Sequence, residues 1–462
     1  MRTASALLVV ALSAGMLGCA VTRSAAEIEA DVDRGAASQA PDAPSQWDGA
    51  AAGVVEDGWI AAFNDPTLNV LVAEAMNNNR DLAAAASNVD RAWALAGQAG
   101  AALVPSVGLS AGGAQGGPVE GSAATSLSLG TQVSWELDVW GRVRSQERAA
   151  VAGAQAAEAD FRAAQQSLAA ATAKAYFTAI EAKTQVEIAR ETVELLTETQ
   201  RIVNVKYENG LASAQDTSLA RSDLASARER LTTIEGSYRD ALRALEALLG
   251  RYPGAELEVR DALPEAPPLP PAGLPSELLE RRPDLVAAER RVAAAFNATD
   301  QARAARLPSI GLSGEIGGAS GSLSSLLDPG NLAWSAGASL LAPIFDGGQR
   351  REQVNVATAE QEQALAAYGQ AAIAAFGEME TNLDQGVVIE QRIVDLQEAS
   401  AEADKAYRIA SLRYEEGEEE LLSVLQIQQR VITARSSLSS VERLLLEQRV
   451  NLNLALGGGW EG

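Results

Sequence analysis

The segment LASARERLTTIEGSYRDALRALEALL, residues 224–249, decides the fold. Its apolar positions alternate in steps of three and four residues, the spacing with which one helix packs along another in a left-handed coiled coil. These positions are Leu224, Ala227, Leu231, Ile234, Tyr238, Ala241, Leu245 and Leu248. We therefore predict a helix that packs along a second helix.

The second helix is predicted directly upstream, from Arg142 to Tyr207, where the same spacing continues without a proline. Small residues such as Ala175 and Ala179 dominate this seam, so the two backbones can approach closely. At a rise of about 1.5 Å per residue the helix would be about 100 Å long, far beyond ordinary globular helices. Residues 142–249 thus predict a long helical hairpin that reaches across a gap.

The composition excludes several classes of protein. With 61 acidic and 37 basic residues the formal net charge is -24, and the phosphates of nucleic acid would repel such a chain. The sequence has 0 histidines and 1 cysteine, which leaves no Ser-His-Asp triad and no zinc site of the usual kind. No P-loop or dinucleotide fingerprint is present. We expect no enzyme activity, no catalytic or metal-binding residue and no cofactor.

The N-terminus has the features of an exported protein. Residues 1–18 combine a charged start with a short apolar run, as in a signal peptide. Cys19 ends the tetrapeptide MLGC, which resembles the lipobox of bacterial lipoproteins, and an acyl chain such as palmitate on it would tether the protein to a membrane. The alternative is an incidental thiol in the signal. Residues 19–60 are predicted to be a lipid-anchored tail, extended up to about residue 52.

After Pro105 the spacing of the apolar residues changes from the 3.6-residue repeat of a helix to the two-residue repeat of a strand. Val107 and Leu109 alternate with small polar residues, and the same alternation returns over residues 127–137 after a glycine-rich tip. We predict a β-hairpin over about 104–138 with one apolar and one polar face. Each strand has about the length of a tilted membrane-spanning strand, but a hairpin of a soluble sandwich fits equally well. Two tryptophans are candidates for a membrane interface: Trp135 and Trp140.

The second half of the chain repeats the first. LVPSVGLS, residues 103–110, recurs as RLPSIGLS, residues 306–313, and KYENG before Leu211 recurs as RYEEG before Glu418. We predict a first repeat and a second repeat joined by a stiff proline-rich connector. The boundaries are 61–262 for the first repeat, 263–275 for the connector and 276–462 for the second repeat, with its β-hairpin at about 307–344 and its helical hairpin at about 349–456.

The strand count bears on the assembly. Four strands cannot close a barrel, and open sheet edges are not tolerated in lipid, so a membrane-spanning sheet requires several copies of the chain. The predicted fold is therefore an α+β membrane protein with long coiled-coil helical hairpins, an internal two-fold repeat and a β-barrel built from several copies.

Several further stretches are distinctive: MLGC, LPSELLERRPDL at 274–285, the paired LVPSVGLS and RLPSIGLS, WELDVWGRVR at 135–144 with APIFDGGQRR at 342–351, and the tips YENGL and YEEGE. Together they resemble the TolC-like family of outer-membrane efflux channels, in particular the lipoprotein branch that serves resistance-nodulation-division pumps. The resemblance implies a homotrimer with a twelve-stranded barrel in the outer membrane and twelve helical arms that form a periplasmic tunnel. It also implies a passive duct for small amphiphilic compounds or drugs, docked onto a periplasmic adaptor (a membrane fusion protein) and an inner-membrane resistance-nodulation-division transporter.

Two alternatives to this function stay open at the level of the sequence. One is a type I secretion conduit for proteins, and the other is a non-channel periplasmic coiled-coil scaffold whose β-hairpins pack on each other.

The resemblance also suggests site residues at the tips of the helical hairpins. Gly210, Leu211 and Gly417 match the tip turns that contact the adaptor, although turn glycines at helix ends explain the residue type alone. Asp216 matches a position that often points into the periplasmic aperture, whereas Gln426 stands where relatives frequently carry aspartate. A group of glutamates at the second tip gives further aperture candidates, with a solvated acidic turn as the alternative. The candidates among them are Glu418, Glu419 and Glu420.

Overall fold

The computed structural model describes residues 23–41, 47, 53, 55 and 57–460. The predicted signal peptide and Cys19 lie outside the described residues. The helices are α1 (Ala25–Gln39), α2 (Pro66–Asn78), α3 (Arg80–Ala101), α4 (Arg142–Glu208), α5 (Ala214–Leu248), α6 (Leu278–Arg281), α7 (Pro283–Ala304), α8 (Gln349–Glu416) and α9 (Leu421–Ala455). The strands are β1 (Ser106–Gly116), β2 (Ala124–Leu137), β3 (Ser309–Ser320) and β4 (Leu332–Leu341).

The described chain divides into two compact units. The first contains the described residues up to Pro41, Ser87–Asp160 and Asp284–Ala372. The second contains the described residues between 42 and 86, Phe161–Pro283 and the residues from Ile373 onward.

Two pairs of long helices dominate the chain. α4 has 67 residues and α5 has 35, while α8 has 68 and α9 has 35, so a long outgoing helix and a shorter return helix occur twice. At about 1.5 Å per residue, α4 and α8 are each about 100 Å long. Leu224 and Leu245, on the predicted seam of α5, are buried. Among the described residues, no helix is both long and apolar enough to cross a membrane.

The four strands, all in the first unit, form one antiparallel sheet in the order β1-β2-β3-β4. The register pairs Val107 with Val133, Val133 with Gly314, and Ile316 with Trp334, which places the apolar rows of both predicted β-hairpins on one face. The β-hairpins lie side by side through the pairing of β2 with β3, so the packing of one hairpin on the other that the scaffold alternative expected is wrong. Within the described residues β1 and β4 are the sheet edges.

The N-terminal segment differs from its prediction. An extended tail was expected up to about residue 52, but Ala25–Gln39 form α1, which begins at a reciprocal capping box between Ser24 and Glu27. Its buried residues contact α7 and α8 within the first unit. The cluster consists of Ile28, Val32, Ala36, Val292, Phe296 and Tyr368. The helix is therefore stabilised by side chains that are distant in sequence. The few apolar residues of α1 itself do not reveal these contacts.

The second unit has its main core around α2 and the middle of α4, with Phe63, Leu68 and Tyr176 among the buried side chains. Asp65, which precedes Pro66, caps α2: its carboxylate accepts hydrogen bonds from the backbone N–H groups of Thr67 and Leu68 at 2.9 and 3.3 Å. The proline-rich connector is fixed at Pro267, whose carbonyl accepts a hydrogen bond from buried Arg449.

Candidate functional site: the tips of the helical hairpins

Both tips begin with a glycine in the left-handed conformation. Gly210 has φ +70 and Gly417 has φ +83. At the first tip the N–H of Leu211 donates to the carbonyl of Lys206 at 2.8 Å, and at the second tip Glu418 donates in the same way to Arg413 at 2.8 Å. This is the Schellman arrangement, which closes a helix C-terminus and favours glycine. The turn requirement accounts for both glycines.

Leu211 is the exposed apolar residue of the first tip. Its side chain is 76% exposed, and the space where a Cβ on Gly210 would lie is open. An exposed apolar side chain on a turn suits a protein contact. Its predicted role at the adaptor remains a prediction.

Asp216 takes part in a helix cap. Its carboxylate accepts hydrogen bonds from the backbone N–H and the hydroxyl of Ser213, both at 2.8 Å, while its own N–H donates to that hydroxyl. The residue closes a capping box at the start of α5. Its carboxylate therefore has a structural role besides the predicted role at the aperture.

The glutamates of the second tip lie close to a guanidinium group. The Arg413 side chain is 3.8 Å from Glu418 and 3.9 Å from Glu419. These pairs are long and their members are mostly exposed, so they give little stability. They nevertheless reduce the local negative charge, which sequence spacing alone did not reveal. Glu420 is the N-cap residue of α9 without a side-chain capping hydrogen bond.

A contact that the sequence analysis missed joins the two tips within the second unit. The Lys206 ammonium donates to the Tyr414 carbonyl, and it lies 3.9 Å from the centre of the Tyr414 ring. Burial raises the pKa of the Tyr414 hydroxyl, and the negative charge of Asp216 adds to this effect. An apolar cluster continues the contact: Val203, Ala220, Ala410, Tyr414, Leu421 and Val424. The only sequence signal was the repeated pair Lys-Tyr and Arg-Tyr before each tip glycine.

The described residues contain no group of three or more histidine, cysteine or acidic side chains suited to a metal ion. The tips thus offer an exposed leucine, an acidic turn and a polar contact between two helix ends. These features suit a protein interface or an aperture.

Comparison with known proteins places these features in context. The sequence model described as Outer membrane efflux protein matches residues 71–251 and 274–458. The pyoverdine export outer membrane protein OpmQ of Pseudomonas aeruginosa is 32% identical over 438 residues, which cover 91% of this chain and 92% of that protein. The toluene efflux pump outer membrane protein TtgF of Pseudomonas putida is 32% identical over 467 residues, covering 98% and 96% of the two chains.

A solved structure is similar over a comparable length. The CmeC outer membrane channel of Campylobacter jejuni superposes with a TM-score of 0.84 at 27% identity, covering 91% of this chain and 94% of that chain. The long helices and the small sheet therefore occur together in a known outer membrane channel.

Proposed function

Because the chain belongs to the outer membrane efflux protein family, we propose that three copies of it form the exit duct of a tripartite efflux system. The chain is an outer membrane efflux channel, as its relatives are. The observation that carries the proposal is the family match over 71–251 and 274–458, which includes the whole sheet and both pairs of long helices.

The trimer is supported by the geometry of the sheet. A four-stranded sheet has two edges, and the apolar face includes Leu109 and Trp334, which are 76% and 78% exposed. In lipid each unpaired edge group is costly, so the sheets of neighbouring copies must pair edge to edge. Three four-stranded sheets give twelve strands, enough for a closed barrel with a lumen. The matching lengths of the two helix pairs support the proposed internal repeat, and twelve helical arms would form the tunnel below.

The lipid anchor is proposed at Cys19, which precedes the described residues. Arg23, four positions later, donates to the Asp300 carboxylate at 3.0 and 2.6 Å. An anchor at Cys19 would therefore be tied to the first unit within a few residues. With so few residues between Cys19 and Arg23, a lipid on Cys19 would hold the first unit close to the membrane surface.

The partners proposed for the duct are a periplasmic adaptor and an inner-membrane resistance-nodulation-division transporter. The chain shows no nucleotide-binding motif, so the transporter would supply the energy. We assign adaptor contact to Gly210, Leu211 and Gly417, and the lining of the aperture to Asp216, Glu418, Glu419 and Glu420. The exposed Leu211 and the acidic turn support these roles.

The proposed cargo is a set of small amphiphilic compounds or drugs. Relatives named for pyoverdine export and toluene efflux support a small-molecule cargo. A strain that lacks the gene should accumulate an amphiphilic dye, while its secretion of proteins stays normal. Loss of protein secretion with unchanged dye accumulation would favour a type I secretion conduit.

The proposal is tested on the mature protein purified from outer membranes. We expect a heat-sensitive trimer on electrophoresis and stepwise conductance in planar lipid bilayers. The Cys19→Ala variant should still conduct after reconstitution but should lack the acyl chains in mass spectrometry. A water-soluble monomer without conductance would overturn the proposal and favour a scaffold.

A further inference from the structure

A cavity of about 410 Å³ lies between α4, α5 and α9 in the second unit. Its walls are largely apolar, and its volume falls within the range of about 300–1,000 Å³ typical of small-molecule sites. The apolar lining includes Ile188, Leu196, Leu219, Leu425 and Ile432. None of these residues belongs to the tip turns.

Gln428 is a buried polar residue that borders the cavity. Its side chain is 3% exposed, yet within the described part of the chain neither its amide nitrogen nor its amide oxygen has a hydrogen-bond partner. Buried amides are normally paired, so an unpaired one needs an explanation. A second cavity of about 20 Å³, which Gln428 also borders, has room for about one water molecule, and such a water would satisfy part of this amide.

The cavity also has an acidic wall. Asp223 is half-buried there, and no hydrogen bond or ion pair is found for it among the described residues. Its burial raises the pKa of the carboxyl group, because desolvation disfavours the charged form. Arg230, the basic residue of the lining, is exposed and therefore solvated. A ligand that brings a positive charge to Asp223 would compensate the buried carboxylate, whereas an anion would add to it.

We propose that this cavity binds a small amphiphilic organic cation. The apolar body packs against Ile188, Leu425 and Ile432, and the ammonium group pairs with Asp223. The inference rests on the proposed function in one respect: the ligand would come from the proposed cargo, which includes compounds of this class. Binding itself requires no adaptor, pump or transport.

The test uses the full mature protein in lipid nanodiscs and equilibrium dialysis of two naphthyl compounds. Propranolol has an ammonium and a hydroxyl group, and 1-naphthaleneacetate has a carboxylate. We expect propranolol to bind at least about tenfold more tightly than the anion, and Asp223→Asn to weaken it about tenfold, the loss of one charge-assisted bond. The matched control is Asp240→Asn on α5, an exposed aspartate that does not line the cavity, which should leave the affinity unchanged.

Two further variants keep the inference falsifiable if Asp223→Asn folds poorly. Ala227→Trp fills the cavity from α5 and should abolish saturable propranolol binding. Gln428→Leu removes both enclosed amide atoms at similar volume, so it should raise the melting temperature of the ligand-free protein and leave propranolol binding intact. Equal affinity in wild type and Ala227→Trp would overturn the inference. Conductance of the same samples in planar bilayers separates the two proposals. Conductance without propranolol binding would overturn only the proposed binding site, and propranolol binding without conductance would overturn only the proposed exit duct.

Discussion

Glu246 ties the end of α5 to the segment that follows. Its carboxylate is buried and accepts the backbone N–H groups of Ala255, Glu256 and Leu257 at 2.7, 2.7 and 3.0 Å. Burial opposes the charge, but these three donors hold the pKa of the carboxyl below its ordinary value of 4.5. The carboxylate is therefore the form that the fold stabilises.

Replacement of Glu246 by glutamine should lower the free energy of unfolding at neutral pH by about 1–3 kcal/mol, because an amide oxygen cannot satisfy three donors as a carboxylate does. The pKa is lowered on folding, so this stabilisation is fully present above pH 4.5 and is lost as the pH falls through the folded-state value. Chemical denaturation at several pH values should therefore show the difference at pH 7 and a smaller one in acid.

The control for Glu246 is Glu194→Gln, an exposed glutamate on α4. It should change the unfolding free energy little at any pH. An equal loss in both variants, or a loss at Glu246 that does not shrink in acid, would contradict the assigned role.

Asp65 illustrates what single residues reveal before a structure exists. Its N-cap role was predictable, since an aspartate followed by proline is a local signal for a helix start. Its other partners were not: the same carboxylate accepts the hydroxyl of Tyr176 at 3.1 Å and the guanidinium of Arg260 at 2.9 Å. Those residues lie more than a hundred positions away, and no local pattern connects them to Asp65.

At the scale of elements, the two long outgoing helices are joined near their ends by Lys206 of α4 and Tyr414 of α8. We expect Lys206→Met to remove the bond to the Tyr414 carbonyl and the contact with its ring. The loss of about 1–2 kcal/mol should raise local opening about tenfold. Hydrogen exchange measured by mass spectrometry should then be faster over residues 203–213 and 410–420.

Lys405→Met is the matched control for Lys206→Met. Lys405 lies on the exposed face of α8, with its ammonium 3.5 Å from Glu402. Its replacement should leave exchange at both tips unchanged. If both variants exchange alike, the Lys206 contact does not hold the tips together.

The acidic turn between α8 and α9 makes a separate prediction about ion passage. If Glu418, Glu419 and Glu420 line the aperture, their joint replacement by glutamine removes up to three negative charges per copy and should lower cation selectivity by about twofold or more. Reversal potentials in planar bilayers with a salt gradient measure this directly. As a matched control, replacement of Glu187, Glu194 and Glu198 of α4 by glutamine should leave the cation selectivity unchanged. If the selectivity of the tip variant is also unchanged, the three tip glutamates do not line the aperture.

The elements differ in how far their sequences predict them. The long helices are predictable from the sequence, because apolar residues spaced alternately three and four positions apart over many turns are a strong signal of a packed helix. α1 is not predictable in this way. Its pattern of one apolar residue per turn, at Ile28, Val32 and Ala36, is indistinguishable from that of a polar linker with scattered apolar residues. The tip residues were predicted from the family resemblance, whereas Lys206 and Tyr414 pair across more than two hundred positions, which spacing cannot show.

At the scale of the whole molecule, the decisive feature is a four-stranded sheet whose two edge strands, β1 and β4, each have one neighbour within the described residues. The sequence predicts both β-hairpins from their period, and it predicts their apolar faces. It does not predict that β2 pairs with β3, because this pairing joins segments about 180 positions apart, as Thr131 with Ile316. That pairing aligns the two apolar faces into one exposed surface, which suits contact with lipid or with another protein surface.

The last prediction tests the proposed contact of this surface with lipid. Leu109 lies on the apolar face of β1 and Ser110 lies on the opposite face. Arginine facing lipid near the middle of the bilayer costs about 2–4 kcal/mol per copy, and a trimer incurs this cost three times, whereas arginine facing a water-filled lumen costs little. Leu109→Arg should therefore reduce the heat-sensitive oligomer recovered from outer membranes, while Ser110→Arg should assemble and instead lower cation conductance. Equal recovery of both variants would mean that the apolar face meets protein rather than lipid.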